Sequence, residues 1–513
     1  MNRRKRVVVL VLSVLGLLTA VPAWVRGQQF PTVSPEHKEL FVDDYLIGKL
    51  VNLKRTLHQP IKHGPILRPE NSWENLALQT RNVPFWVPDE KVWKLYYMAF
   101  ARKGKREQHT TSLAISKDGL HWEKPVLNLI EWDGSKANNL VARHDNSDQF
   151  LYHALYDPAD VPERRYKALF GIGKRQPAVS ADGLHWSLLP TPSIPSADES
   201  QLIYDELGKQ FLSTVKHTGP YGRSVYLTTS KNFNEWTEPK LIFHADGYDQ
   251  ELGRQRLADR MSNPRWVPLT INQPSQYNVD IYNMPVFPYE GHYIGLPMKF
   301  YQSGPTPIGN SDGFHLVEMV SSRDLHRWSP VAGRRAFIPP SFAGPDVYDT
   351  GTVVPPTRPV VRDGELWFYY TGLKRRFQEA NIATMADGSR RYRSVPDIGA
   401  ILLAKLRLDG FVSMDAGELK GTLLTVPLHL KGRRLFVNVD ALDGEVTAEI
   451  FDSLGREVMG SFSVEHSQPV RGDHLEAELK WSGGADLSVL GDKQVRIRFH
   501  LRRARLYSFW VTE

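Results

Sequence analysis

Cysteine is absent from the chain, which removes disulfides, thiolate metal sites and thiol nucleophiles from consideration. Sustained helical periodicity is hard to find after the N-terminus. No glycine-rich phosphate loop follows a strand, no serine nucleophile elbow is visible and no close histidine pair suggests zinc. Beyond residue 23 no apolar run is long enough to span a bilayer. A strong excess of one charge is missing too. Of the formal +7, four positive charges are Arg3, Arg4, Lys5 and Arg6, which leaves about +3 on the rest, with Lys and Arg interleaved among acids. This argues against nucleic acid as a partner.

Those four basic residues precede an apolar run over 7–23 that ends in Val21-Pro22-Ala23. The layout is that of a secretory signal, and we assign it to residues 1–27. The mature chain is then expected to be secreted or periplasmic with no membrane attachment. An uncleaved N-terminal anchor is the alternative. A chain of 513 residues is too long for one ordinary core, and a large and a small domain are expected. Oligomeric state is not legible.

What the chain does contain is a repeat. Ser116-Lys117-Asp118-Gly119-Leu120-His121-Trp122 returns as Ser180-Ala181-Asp182-Gly183-Leu184-His185-Trp186, and more loosely over 230–236 and 322–328. Each copy closes a short strand-like run with a turn, in which Asp can bond its own backbone and Gly tolerates positive φ. The Trp positions are about 64, 50 and 92 residues apart, and blade-like units of about 40 to 50 residues are the sequence signature of propeller arrays. Five such units fit between 36 and 415, the last ending in Asp409-Gly410-Phe411. Two insertions, 244–276 and 374–393, break the rhythm and are expected as loops at the channel. From 416 to 513 short strands of alternating polarity separated by Gly, Asp and Asn turns read as a β-sandwich. The expected fold is all-β, a five-bladed β-propeller followed by a C-terminal β-sandwich.

This architecture resembles the glycoside hydrolases of families 32 and 43, the fructan-cleaving and arabinan- or xylan-cleaving types. More closely it resembles secreted bacterial family-32-like proteins that begin with a Phe-Val-Asp-Asp-Tyr-Leu-Ile run and end in Leu-Tyr-Ser-Phe, here 41–47 and 506–509. The resemblance implies a hydrolase of glycosidic bonds. It carries over no catalytic residue, because the Trp-Met-Asn-Asp-Pro-Asn-Gly motif and the Glu-Cys pair of fructan hydrolases have no counterpart here.

The site is therefore sought by geometry. Inner strands of a propeller line a central channel, and glycoside hydrolysis takes two carboxyl groups, one protonated and one ionised. Acids at the starts of inner strands are Asp198-Glu199, Asp280 and Asp349, with Asp43-Asp44 before the first. Glu199 is the preferred general acid, and Asp280, Asp349 and Asp44 are the candidates for nucleophile, base or tuning partner. Asp43 and Asp44 have a second reading as ion-pair partners of Arg55 or Arg68. Arg81 and Asn82 on the first inner strand, His153 on the second, Lys216 and Arg223 near the third, and Asp249 in the first insertion are candidate substrate contacts. For His153 a packed core role is the alternative. The repeated Trp122, Trp186, Trp236 and Trp328 read as structural. No cofactor is expected, although oxygen ligands in the channel are compatible with a Ca²⁺ ion. A carbohydrate is the expected substrate, and three activities stay open: a hydrolase, a non-catalytic carbohydrate-binding propeller, and a lyase or phosphorylase using Lys216, Arg223 and Arg254 on an anionic substrate or phosphate.

Overall fold

The computed structural model describes residues 30–103, 106–144, 147–376, 382–384, 390–392 and 395–513. The expected signal, 1–27, and most of the expected insertion 374–393 lie outside them. The described chain is nearly all β, with one α-helix.

Four antiparallel meanders follow one another along the chain. The first runs through Ala77–Gln79, Val92–Lys103, Arg106–Ser116 and Leu140–Arg143, the second through Leu151–Tyr156, Tyr166–Phe170, Lys174–Ser180 and Ser187–Leu188. The third comprises Ser200–Asp205, Gln210–Gly219, Gly222–Ser230 and Lys240–Phe243. The fourth is split into two hydrogen-bonded parts, Asn278–Asn283 with Met298–Pro305 and Ser311–Val317, and Val286–Tyr289 with His292–Gly295, Val320–Ser322 and Ser329–Pro330. The fifth joins Thr352–Val354, Glu365–Leu373 and Gly399–Arg407 to an early strand, Ile61–Leu67, which pairs along the outside of Gly399–Arg407. Each sheet packs on the next, and the fifth meets the first through a parallel bridge between Gly399 and Ala77, so the succession closes on itself.

The repeated motif makes the turns the spacing predicts. Asp118 Oδ1 accepts the backbone N–H groups of Leu120 and His121, Ser116 Oγ accepts that of Gly119, and the Trp122 indole donates to the Gly119 carbonyl. Gly119 sits at φ +71°, where only glycine is unstrained. Its carbonyl also receives the hydroxyl of Tyr369, from the fifth sheet, and the Gly183 carbonyl receives that of Tyr96, from the first. The turn of one sheet is thus pinned to its neighbour by a buried tyrosine. The four Trp residues are packing elements.

The single helix, α1 (Gly247–Ser262), lies in the first insertion, where helical periodicity had not been recognised. Asp246 caps it: its Oδ1 accepts the Asp249 N–H at 2.9 Å while Asp249 Oδ2 accepts the Asp246 N–H at 3.1 Å. Buried charge holds it to the fourth sheet, for Asp249 is ion-paired with Lys299 and Arg334, and Lys299 with Glu318 at 2.7 Å.

The C-terminal strands form one nine-stranded, hydrogen-bonded sheet. Its long strand Arg434–Asp452 pairs with Ala504–Thr512 over its first half and with Val495–Arg502 over its second. Glu39–Leu40, Ile47–Val51 and Lys54–Leu57, which precede the first meander, belong to this sheet. Leu40 faces Ser508 and Phe41 packs on Phe509, so the runs at 41–47 and 506–509 meet each other. Both serve the join between the chain's two ends.

Asp409 closes the same join. Fully buried, it accepts from Tyr289 of the fourth sheet (2.7 Å), Lys38 (2.9 Å), Ser508 (3.0 Å) and Asn438 (3.2 Å). Removing one member of such a buried set leaves the others unsatisfied. Asp409→Ala should therefore lower unfolding free energy by about 3 kcal/mol or more, read by chemical denaturation; an unchanged midpoint would refute this role.

Candidate active site

The inner strands all run the same way. In the first four sheets a polar segment precedes an apolar one: Gln79 and Arg81 before Val83–Phe85, His153 before Leu155, Glu199 before Leu202, Asp280 before Phe287. The apolar ends of all five converge on a cavity of about 390 Å³ lined by residues such as Phe85, Tyr156, Tyr204, Phe287 and Pro359. That lining contains no carboxylate, histidine or lysine, and its one charged residue is Arg358. The ionisable groups gather at the opposite end, which we call the mouth.

Glu199 and Arg81 form the centre of the mouth. The guanidinium spans both carboxylate oxygens, Nε to Oε2 at 2.8 Å and Nη2 to Oε1 at 2.6 Å, and Asn283 donates to Oε2 at 3.0 Å. This buried arrangement ties the first, third and fourth inner strands together. With both oxygens taken by Arg81, Glu199 has no free oxygen from which to hand over a proton, which speaks against its expected role as general acid.

Asp280 fits that role better. Its Oδ2 accepts from Arg223 Nη1 at 2.8 Å and from the Arg223 backbone N–H at 3.3 Å, while Oδ1 is buried with no hydrogen-bond partner among the described residues. Burial pushes its pKa above the ordinary carboxyl value against the pull of Arg223. The hairpin that carries Arg223 comes this close because Gly222 presses on the Asp280 side chain at φ +110°, leaving a Cβ there only 3.0 Å from Oδ2.

Asp198, beside Glu199, has the opposite environment. About half of its side chain is exposed, and although partial burial pulls its pKa up, the paired Lys216 ammonium prevails and holds it below the ordinary value. The Tyr282 hydroxyl lies 3.3 Å from Asp198 Oδ2. Tyr282 owes its position to a β-bulge: Ile281 faces Lys299 and Asn283 faces Met298, so Tyr282 is the extra residue on the inner strand. Tyr152 is displaced by the same device on the second inner strand, between Leu151 and His153, and lies under the Arg175 guanidinium at 4.3 Å. A row across the fourth sheet, Asp280, Phe300 and His315, completes the wall, with His315 stacked on Phe300 at 4.3 Å.

The remaining expected residues fall elsewhere or into supporting roles. Asn82 is consumed in bridging the first two inner strands, donating to the Tyr96 carbonyl and accepting the Ala154 N–H. His153 is buried, bonds Ser200 Oγ at 2.9 Å, and is kept neutral by burial and by Arg175 and Arg81, which matches the packed-core reading. Lys216 and Arg223 do line the mouth, both over the Tyr282 ring. Asp249 is the helix-locking residue of α1, not a rim contact. Asp349 is buried against Lys62 (2.6 Å) and the Tyr370 hydroxyl (2.9 Å) of the fifth sheet, neither of which belongs to the mouth. Asp44 is exposed and paired with Arg55, while Asp43 binds Arg323 at the outer turn of the fourth sheet. The ion pair with Arg55 is observed for Asp44, whereas Asp43 has Arg323, and neither acid pairs with Arg68, which binds Asp346. Tyr152, Arg175, Tyr282, Asn283, His315 and Arg376 had not been singled out, and for Tyr282 its place two residues after Asp280 was the available signal. Among the described residues no group of three or more His, Asp or Glu side chains is placed to hold a metal ion.

No protein-family model matches the chain, and no curated protein sequence matches it. Solved structures similar to it include a glycosyl hydrolase from Bacteroides ovatus (12% identity, 72% of this chain and 97% of that one, TM-score 0.39). A Bombyx mori family-32 β-fructofuranosidase is similar at 10% identity over 89% and 94% of the two chains, TM-score 0.39. An N-acetylgalactosamine deacetylase from F. plautii, in complex with blood group B trisaccharide, is similar at 14% identity over 70% and 97%, TM-score 0.37. Two of these neighbours are named as glycoside hydrolases and one as a deacetylase, and at such identities and scores they place no residue of the site.

The raised pKa of Asp280 has a consequence for stability. An acid that binds its proton more tightly folded than unfolded makes the native state lose stability as pH climbs from the ordinary carboxyl range through the raised value. The advantage of Asp280→Asn over the parent in unfolding free energy should therefore grow between about pH 4 and pH 7. A difference that is flat with pH would show that burial does not govern this carboxyl.

Proposed function

We propose that the five sheets are the blades of a β-propeller, followed by a C-terminal β-sandwich, and that the mature, secreted or periplasmic chain hydrolyses glycosidic bonds of a poly- or oligosaccharide at the mouth. The observation that carries this reading is the opposed environment of Asp280 and Asp198, two carboxyl groups that share Lys216 as a charged neighbour. Hydrolysis needs one carboxyl that keeps its proton and one that has lost it, and two acids whose surroundings push their pKa values apart divide the roles accordingly. In this reading Asp280 donates its proton from Oδ1 to the departing glycosidic oxygen. Asp198 either attacks the anomeric carbon or takes a proton from the water that does. Tyr282, hydrogen-bonded to Asp198, holds it in place and presents a ring face to the sugar. Arg81 and Glu199 position the strands that carry both acids.

One observation favours a second reading, a non-catalytic carbohydrate-binding propeller. Glu199, Asp280, Asp349 and Asp44 are each paired with a cation, as a purely structural set of acids would be. Fold alone does not separate the two.

A screen of the mature protein against plant, algal and bacterial polysaccharides, with analysis of products, distinguishes them. The hydrolase reading expects product from at least one polymer, and a loss of about 10²-fold or more in turnover for Asp280→Asn and for Asp198→Asn with folding intact. Rate should fall as pH rises through the raised pKa of Asp280 and again as pH falls through that of Asp198. Parent-like turnover in both variants would overturn the assignment, and binding without any product would favour the second reading.

A further inference from the structure

Three cations crowd one ring at the mouth. The Lys216 ammonium lies 3.9 Å from the centroid of Tyr282, and the guanidinium groups of Arg223 and Arg376 each lie 5.3 Å from it. Both guanidiniums also face Phe300, at 5.5 and 4.4 Å. Arg81 and Arg175 stand behind them, Arg175 wholly buried and bound to backbone carbonyls and Ser200 with no carboxylate partner among the described residues. Against these five positive charges stand four carboxyl groups, Asp198, Glu199, Asp280 and Asp312, of which Asp312 acts on Arg376 and, like Asp280, is pushed above the ordinary carboxyl pKa by burial. Arg376 is fastened only by Nε to the Ser311 carbonyl at 3.0 Å among the described residues.

Like charges held this close in a partly buried site repel, and the repulsion is not screened as it would be in water. A fold keeps such a group when an anion comes to it. A second, independent feature marks where: His315 is fully buried, its Nδ1 engages Thr352 at 3.1 Å, and its Nε2 has no partner among the described residues. Burial first, and then the charges of Arg376, Arg223, Lys216 and Arg81, keep its imidazole neutral. A buried polar atom left unsatisfied beside such cations is a costly arrangement unless a ligand completes it.

We propose that the sugar taken at this mouth carries an anionic oxygen substituent, a carboxylate or a sulfate ester, which lies between Arg223 and Arg376 over the Tyr282 and Phe300 rings and within reach of His315. This rests on the reading of the mouth as a carbohydrate site and adds to it the substrate class. Arginine suits the task because its planar fork matches the oxygens of either group. The neutral face of the sugar is left to the aromatic rings.

Binding by calorimetry to the full mature protein tests this without requiring turnover. One arm compares an oligomer of galacturonic acid with the equally long oligomer of galactose, a second compares a sulfated galactan oligomer with its desulfated form, and a third uses inorganic phosphate alone. A charged oligomer in at least one arm should bind about tenfold or more tightly than its neutral match, with the preference fading as salt is raised toward about 1 M. Arg376→Ala should bring that preference close to one while binding of the neutral oligomer persists. The arm that responds identifies carboxylate or sulfate. Equal binding of charged and neutral oligomers, no binding of either charged oligomer, or binding of inorganic phosphate only overturns the proposal. Cleavage of neutral polymers alongside equal binding would leave the hydrolase reading standing and sink this one, whereas charge-selective binding without product does the reverse.

Discussion

Arg81 and Glu199 are buried together at the point where strands from three sheets approach one another, and the rest of the mouth depends on that pair. Neither charge is tolerable alone in such a place: an isolated buried ion costs several kcal/mol, and only the two-point fork of arginine on carboxylate, with Asn283 filling a remaining lone pair, offsets it. The requirement is geometric as well as energetic. To satisfy the pair, the first, third and fourth inner strands have to stand at fixed separations, and the acids beside Glu199 and at Asp280 inherit that placement. A residue of catalytic type thereby serves as the frame for its neighbours.

The direction of the inner strands separates an apolar end of the molecule from a charged one. At one end the strands finish in aromatic and proline residues around a cavity without carboxylate, histidine or lysine. At the other they begin in charge. The outer turns do neither: Asp118 and Asp182 spend their oxygens on backbone N–H groups, and tyrosines from neighbouring sheets lock onto the turn carbonyls. The early strand Ile61–Leu67 closes the fifth sheet, and the segment before it pairs with the far C-terminus, so both ends of the described chain are held by long-range partners. Such closure is slow to form and raises the entropy lost on folding, but it removes exposed sheet edges.

Much of this was legible because turns and alternation are local. The Asp-Gly-Leu-His-Trp spacing announced successive sheets, and the acids at 198–199 and 280 stood at the starts of inner strands as geometry required. What could not be read was pairing. Nothing local tells Glu199 from Asp280, yet one is sealed by Arg81, 118 residues away, and the other keeps an oxygen free. Asp349 looks equivalent to them until Lys62 comes from elsewhere in the chain, whereas Arg55, only 11 residues from Asp44, is a partner the sequence offers. Tyr152 and Tyr282 escaped notice because a bulge is a relation between two strands, invisible in either alone. Helix α1 is not legible in the sequence, since its polar residues bury as ion pairs and blur the apolar stripe on which recognition of a helix rests.

The central claim, that the mouth and not the aromatic cavity is where a sugar is handled and that Asp280 is its acid, is tested most directly by a crystal structure of Asp280→Asn with a bound oligosaccharide. The account predicts density at the mouth, with a glycosidic oxygen within hydrogen-bond distance of the residue 280 amide and a sugar face against Tyr282. Saccharide found only in the cavity between Phe85, Tyr204 and Phe287, with the mouth unchanged, would contradict it.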